Sequence, residues 1–254
     1  MKTNERFLAA LRQMNTVMKE DVKAGRKWRY SNSSAKQAHT FALARKKGLR
    51  YTNCVLGVWW GLREAGVPDN ALHWMGGIHK IIWTTSNAKK WAEKYFDIIS
   101  TGGHSVSYLW DHQLLCDGDI FLGFQSMNHT CVFYGGSTGK KSFDSGHSNC
   151  SGSGELAEFK RWISTLTCKN YKVNYILRLK DRAHYRVQAG AFTDINVYNQ
   201  EAARLKAAGF PVTRIDEDGM YKIQTGYFSG KSNANRQRDK LITKGFGAFV
   251  KEVD

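Results

Sequence analysis

The chain has 254 residues, 42% of them apolar and 13% aromatic, with two prolines; it can bury a core without disulfide staples and is too apolar for general disorder. A formal charge of +16 and a pI near 9.7 favour polyanionic partners, whether nucleic acid, anionic membrane or acidic wall polymer, and do not choose among them. The five cysteines, Cys54, Cys116, Cys131, Cys150 and Cys168, form no CxxC pair, which indicates neither a disulfide framework nor a zinc knuckle.

Charge is uneven, with 27 Lys and Arg against 14 Asp and Glu in residues 1–182 and 11 against 8 in residues 183–254. The opening "MKTNERFLAALRQMNTVMKEDVK" mixes charged and apolar residues at helical spacing and lacks the continuous apolar core of a signal peptide. No segment approaches the ~20 apolar residues of a membrane span. The expectation is accumulation in the cytoplasm, even if the work of the protein lies elsewhere.

Helical segments are expected at 4–24 and 33–47, then an apolar helix, "CVLGVWWGLREAG", starting at Cys54. "IIWTTSNAKKWAEKYFDIIS" reads as loop then helix. After Gly102-Gly103 come short strands, "CDGDIFLGF", "HTCVFYGG", "KKSFDSG" and "YKVNYILRL". Helices first and an antiparallel sheet second describe an α+β fold.

A cysteine attacks an amide carbonyl as its thiolate, and the N–H groups and dipole of a helix N-terminus favour that anion and the oxyanion that follows. Cys54 stands at such an end. His129, opening "HTCVFYGG", is the candidate base, and Asp144, in "KKSFDSGH", the group that orients it. His147 is the alternative third residue. Cys131 reads as core. Trp59, Trp60, Trp83, Trp91 and Trp110 are candidates for a groove or for packing. His73 and His79 flank "WMGGI" without HExxH or carboxylates, so no metal site is assigned, and "GGSTGKK" lacks the first glycine and the Ser or Thr of a phosphate loop. No cofactor is implied.

These elements, in this order, resemble the NlpC-type papain-like cysteine peptidases, whose pattern is a cysteine starting an apolar helix, a "PGD" turn, a strand opening with histidine and a polar residue on the next strand. The resemblance covers about residues 50–146. It departs from the pattern at Asn53, where aspartate is common, at Val55 after the cysteine, and at Asp144, where histidine is usual. It implies cleavage of a peptidoglycan stem-peptide amide by Cys54, His129 and Asp144.

Near the C-terminus "YRVQAGAF" at 185–192 returns as "YKIQTGYF" at 221–228, each followed by a polar helical stretch and a short apolar run. The unit is strand, helix, strand, used twice, giving one sheet with both helices on one face. Period-two alternation sends Tyr185, Val187 and Ala189 toward the helices and Arg186, Gln188, Lys222 and Gln224 outward. This segment resembles the SPOR (sporulation-related repeat) domains, which bind peptidoglycan glycan strands. The resemblance implies glycan contacts from Gln188, Arg186 and Gln224.

The combined expectation is a papain-like NlpC-type domain at 1–182 and a small βαββαβ SPOR domain at 183–254. Together they make a peptidoglycan hydrolase, an N-acetylmuramoyl-L-alanine amidase or a γ-D-glutamyl endopeptidase, resembling phage endolysins of Gram-positive, clostridial-type hosts. The partners expected are peptidoglycan and anionic wall polymers rather than nucleic acid. Two other classes compete: a non-catalytic wall-binding protein, and a nucleic-acid binder favoured by charge and aromatics.

Overall fold

The computed structural model describes residues 1–31, 33–68, 87–124, 129–134, 141–145, 156–158 and 172–253. The chain divides into two compact units, Met1–Arg182 and Ala183–Asp254.

In the first unit, helix α1 (Thr3–Lys23) buries Phe7, Leu8, Leu11, Met14 and Met18, one stripe at helical spacing. Its first amides are held by carboxylates: Asp181 accepts from the Thr3 backbone N–H at 3.0 Å and Glu5 from that of Lys2 at 3.2 Å. The helix expected at 33–47 is broken into a 3-10 turn at Ser34–Lys36 and α2 (Phe41–Lys46). Thr40 is the reason, since its hydroxyl accepts from the Leu43 N–H and starts a new helix there. Strands β1 (Arg29–Tyr30) and β2 (Tyr51–Thr52) pair in parallel and lead into α3 (Cys54–Glu64). A side chain at Gly61 would start 2.9 Å from Leu11 and Phe7, so this glycine lets α1 and α3 approach closely.

Helix α4 (Asn87–Tyr95) runs directly into β3 (Phe96–Ser100), so "FDIIS" is strand where the sequence suggested helix. Three β-branched or aromatic residues pairing with a neighbour outweigh the helical pattern before them. Helix α5 (Val106–Asp111), capped by Ser105, precedes β4 (Ile120–Phe124), β5 (His129–Tyr134), β6 (Lys141–Ser145), β7 (Leu156–Glu158) and β8 (Tyr175–Leu179). Among the described residues they form one antiparallel sheet in the order β3-β8-β4-β5-β6-β7.

Alternation along these strands is strict. Ile120, Leu122, Val132, Phe143, Leu177 and Leu179 join α1 and α3 in one core, while Phe121, Cys131, Phe133 and Ile176 join Val106, Leu109 and Trp110 of α5 in another. The first unit is therefore a sheet with helices on both faces.

The second unit is β9 (His184–Phe192), α6 (Ile195–Ala207), β10 (Thr213–Glu217), β11 (Met220–Phe228), α7 (Lys231–Thr243) and β12 (Phe249–Val253). The sheet order is β10-β11-β9-β12. The second strand of each copy thus pairs with the first strand of the other, and neither copy forms a sheet alone. Tyr185, Val187, Ala189 and Ile223 share one core with Tyr198, Ala202 and Leu205 of α6 and with Ala234 and Leu241 of α7. Both helices lie on one face.

The doubled Gly-x-Phe has a steric cause. A Cβ at Gly190, whose φ is +108°, would lie 2.6 Å from the Phe192 ring, and one at Gly226 would lie 2.4 Å from the ring of Phe228. Each phenylalanine packs on the core with its ring folded back over the glycine. Gly190→Ala adds backbone strain to this overlap and is expected to destabilise the second unit by about 3 kcal/mol. Calorimetry should show only the second unit's transition lowered. An unshifted transition would mean that the ring moves aside freely.

Candidate functional site

Two surfaces carry the residues that the sequence singles out, one in each unit.

In the first unit, Asn53 caps α3: its side-chain oxygen accepts from the Leu56 N–H at 2.8 Å, and its amide donates to the Ser31 carbonyl at 3.4 Å. Cys54 is therefore the first helical residue, as expected. Its side chain is only 2% exposed, in the core shared by α1 and α3. A nucleophile has to meet its substrate, and among the described residues no opening reaches this sulfur.

Helix α3 packs on β5 and β6, the strands that carry His129 and Asp144. His129 is the first residue of β5 and half-buried, beside the irregularity in the β4–β5 ladder between Leu122 and Phe124. The residues of β5 facing α3 are Val132 and Tyr134, while Cys131 and Phe133 belong to the core under α5. Continued to the first residue, this alternation carries His129 to the α5 side, so a pairing with Cys54 requires the strand to turn at that residue.

Asp144 lies on β6, paired with Ala157 of β7. The register that pairs Val132 with Phe143 puts Asp144 opposite Cys131, with His129 as the diagonal neighbour about 7–8 Å away along the strand. The side chain of Asp144, and all of His73, His79, Trp83, His147, Cys150, Cys168 and the "GGSTGKK" loop before Lys141, lie outside the described residues.

Among the described residues, Cys116, Cys131, Trp59, Trp60 and Trp110 are structural. Burial and, next, the Asp119 carboxylate push the Cys116 thiol up to about 12, which removes it as a nucleophile. Cys131 is fully buried. Asp119, from the "CDGD" turn, is itself buried, accepts the Cys116 N–H at 2.7 Å and holds Arg178 through two bonds of 2.7 Å. Trp59, Trp60 and Trp110 are buried, and the Trp60 indole donates to the Ala38 carbonyl at 3.0 Å. These three pack the core and line no groove.

In the second unit, the face away from the helices is set by β9, β11 and β12. Gln188 pairs with Gln224 and Phe249, and Arg186 with Tyr227 and Lys251. The two amides expected to meet a ligand thus stand side by side on the two central strands. Gln224 is half-exposed, whereas Gln188 is 5% exposed and donates to the Gly190 carbonyl at 3.3 Å.

Arg186 departs from expectation: it is 7% exposed and bonded to Glu217 at 2.7 Å. Glu217 also binds Lys222 at 3.0 Å and Lys251 at 3.5 Å. The hydrogen bonds of Arg186 and then Lys222 hold its carboxyl down at about 2. Arg186 is thus a buried part of the floor, held through one guanidinium nitrogen by a glutamate on β10 that collects three cations from three strands, while its Nε has no partner among the described residues.

Sequence reasoning missed the aromatic residues of this face. Tyr227 is 55% and Phe249 50% exposed, and the Tyr227 ring stacks on His184 at 5.3 Å between centroids. Their strand positions, opposite Arg186 and Gln188, were the available signal. Exposed ring faces beside carboxamides and fixed charges can cover the C–H face of a sugar while bonding its hydroxyls.

Among the described residues no helix is long and apolar enough to cross a membrane, and no three His, Cys, Asp or Glu side chains cluster as metal ligands. No curated protein matches the chain. A solved structure similar to part of the chain is described as the solution structure of the peptidoglycan binding domain of the B. subtilis cell wall lytic enzyme CwlC. It is 33% identical, covers 30% of this chain and 95% of its own, and has a TM-score of 0.28. Residues 181–252 match the family model of the SPOR domain, and this part of the chain is a SPOR domain.

Proposed function

We propose that the chain is directed to peptidoglycan, with its SPOR domain holding glycan strands and residues 1–182 cutting an amide bond of the stem peptide. The match of residues 181–252 to the SPOR model carries the binding half, and the sheet face with Gln224, Tyr227 and Phe249, floored by the buried Gln188, is its contact surface. In full-length protein, Tyr227→Ala combined with Gln224→Ala removes one exposed ring and one amide and should weaken sedimentation with purified sacculi at least about tenfold. Unchanged sedimentation would move the contact surface elsewhere.

For the catalytic half, what supports the reading is the position of Cys54 at the capped start of α3 and the packing of that helix on the two strands that bear His129 and Asp144. Cys54 attacks the carbonyl, His129 takes the thiol proton and returns it to the leaving amine, and Asp144 orients His129. An acyl-enzyme forms, and water releases it. The N-acetylmuramoyl-L-alanine bond is the assigned target, because that cut leaves the stripped glycan strands that SPOR domains favour. The γ-D-glutamyl bond is the alternative, and mass spectrometry of the released fragments separates them. A second reading, a non-catalytic wall-binding protein, is favoured by the burial of Cys54.

A further inference from the structure

The first unit contains a cavity of about 300 Å³ lined by Arg26, Lys27, Arg29, Arg50, Tyr51 and the turn glycines Gly25 and Gly48. Four of its seven lining residues are cationic and none is acidic. Such a convergence of like charge needs a cause, and Asp21 supplies part of it. Its fully buried carboxylate, outside the lining, binds Arg26 at 3.0 Å and Arg50 at 3.3 Å, and also Arg45, which does not line the cavity, at 3.3 Å.

One negative charge thus fixes three guanidinium groups and leaves an excess of two positive charges. Lys27 and Arg29 add two more and have no carboxylate partner among the described residues. Of the three lining arginines, Arg26 and Arg50 are held in place before any ligand arrives, which lowers the entropic cost of binding an anion. Their planar forks match the oxygens of phosphate.

We infer that this cavity binds a phosphodiester group of an anionic wall polymer, a polyol-phosphate chain, and so gives the first unit its own hold on the wall. The inference rests on the reading that the chain acts on the cell wall. A cavity of this size takes one phosphate with its flanking polyol. A nucleic acid fits less well, because base stacking needs an open aromatic face and the Tyr51 ring is covered by the Lys36 ammonium at 5.5 Å.

The test uses full-length protein and sacculi that either keep their phosphate polymers or have had them removed by acid. The double variant Lys27→Glu with Arg29→Glu alters two exposed side chains that do not touch Asp21, so its thermal transition should match the wild type. Wild-type protein should bind phosphate-bearing walls at least about tenfold tighter than stripped walls, and the variant should lose that difference while binding stripped walls as before. Equal wild-type binding to both walls, or a difference that survives in the variant, overturns the inference. So does a short DNA duplex that binds wild-type protein more tightly than phosphate-bearing walls do. Failure to bind stripped walls at all counts against the SPOR half of the proposed function instead, and the two failures are thereby distinguished.

Discussion

Cys54→Ala is expected to lower wall hydrolysis by about 10⁴-fold or more, the size of effect seen when an enzyme loses its nucleophile, and to leave sedimentation with sacculi unchanged. The substitution removes one buried heavy atom from the α1–α3 core and should lower stability by only about 1 kcal/mol, too little to unfold the first unit. Lost activity with retained folding and retained wall binding then points to the sulfur itself. His129→Ala should match it in activity, because a thiol and its base act as one unit and their losses do not add. Turbidity of a sacculus suspension reads the rate. Alkylation by iodoacetamide reads access to Cys54, which is 2% exposed. If Cys54→Ala clears sacculi as fast as the wild type, Cys54 is not the nucleophile; if neither protein clears them, the non-catalytic reading stands.

The SPOR half was the more legible in the sequence, for a physical reason. Its signature is a repeat whose every position has a local cause: the glycines make room for Phe192 and Phe228, and Tyr185, Val187 and Ala189 alternate into the helix-covered core. Local rules such as period two and turn chemistry suffice there. They failed at Arg186. Alternation placed it correctly on the open face, but Glu217, thirty-one residues away in sequence, decides that it is buried and paired.

The first unit shows the same division. Asn53 and Cys54 at the start of α3 follow from capping chemistry, and β4, β5, β6 and β8 from short apolar runs between turns. The strand β3 was hidden because Phe96–Ser100 continues a helix without a break. The facing of His129 was hidden as well. The choice between the α3 side and the α5 side is made by long-range packing of Val132 and Phe133, and a one-residue change reverses it. The basic cavity could not be read at all, since Asp21, Arg26, Arg45 and Arg50 are brought together from three separate segments.

Asp21→Asn is the second large effect expected, a loss of about 3 kcal/mol from the first unit, because a buried carboxylate shared by three guanidinium groups leaves uncompensated charge when it is neutralised. Asp21 also accepts the Trp28 indole N–H at 3.2 Å, and Trp28 is fully buried against Phe41 and Trp60. The carboxylate therefore ties the end of α1 to α2, to the segment before β2 and to the aromatic core.

The sign of its pH dependence follows from the same contacts. Burial alone would raise the Asp21 carboxyl, but the hydrogen bonds from Arg45, Arg26, Arg50 and Trp28 outweigh it and hold the group at about 2, below its ordinary 3.8. A depressed carboxyl stabilises the fold above its unfolded value and loses that contribution as pH falls through the folded value. The wild-type first unit should therefore lose stability between about pH 4 and pH 2, and the gap between wild type and Asp21→Asn should close over that window. All eight tryptophans lie in residues 1–182, so urea unfolding followed by tryptophan fluorescence reports this unit alone, free of the parallel titration of Glu217 in the second. A gap that stays constant from pH 7 to pH 2 would show that the shape of the side chain matters at this site and its charge does not.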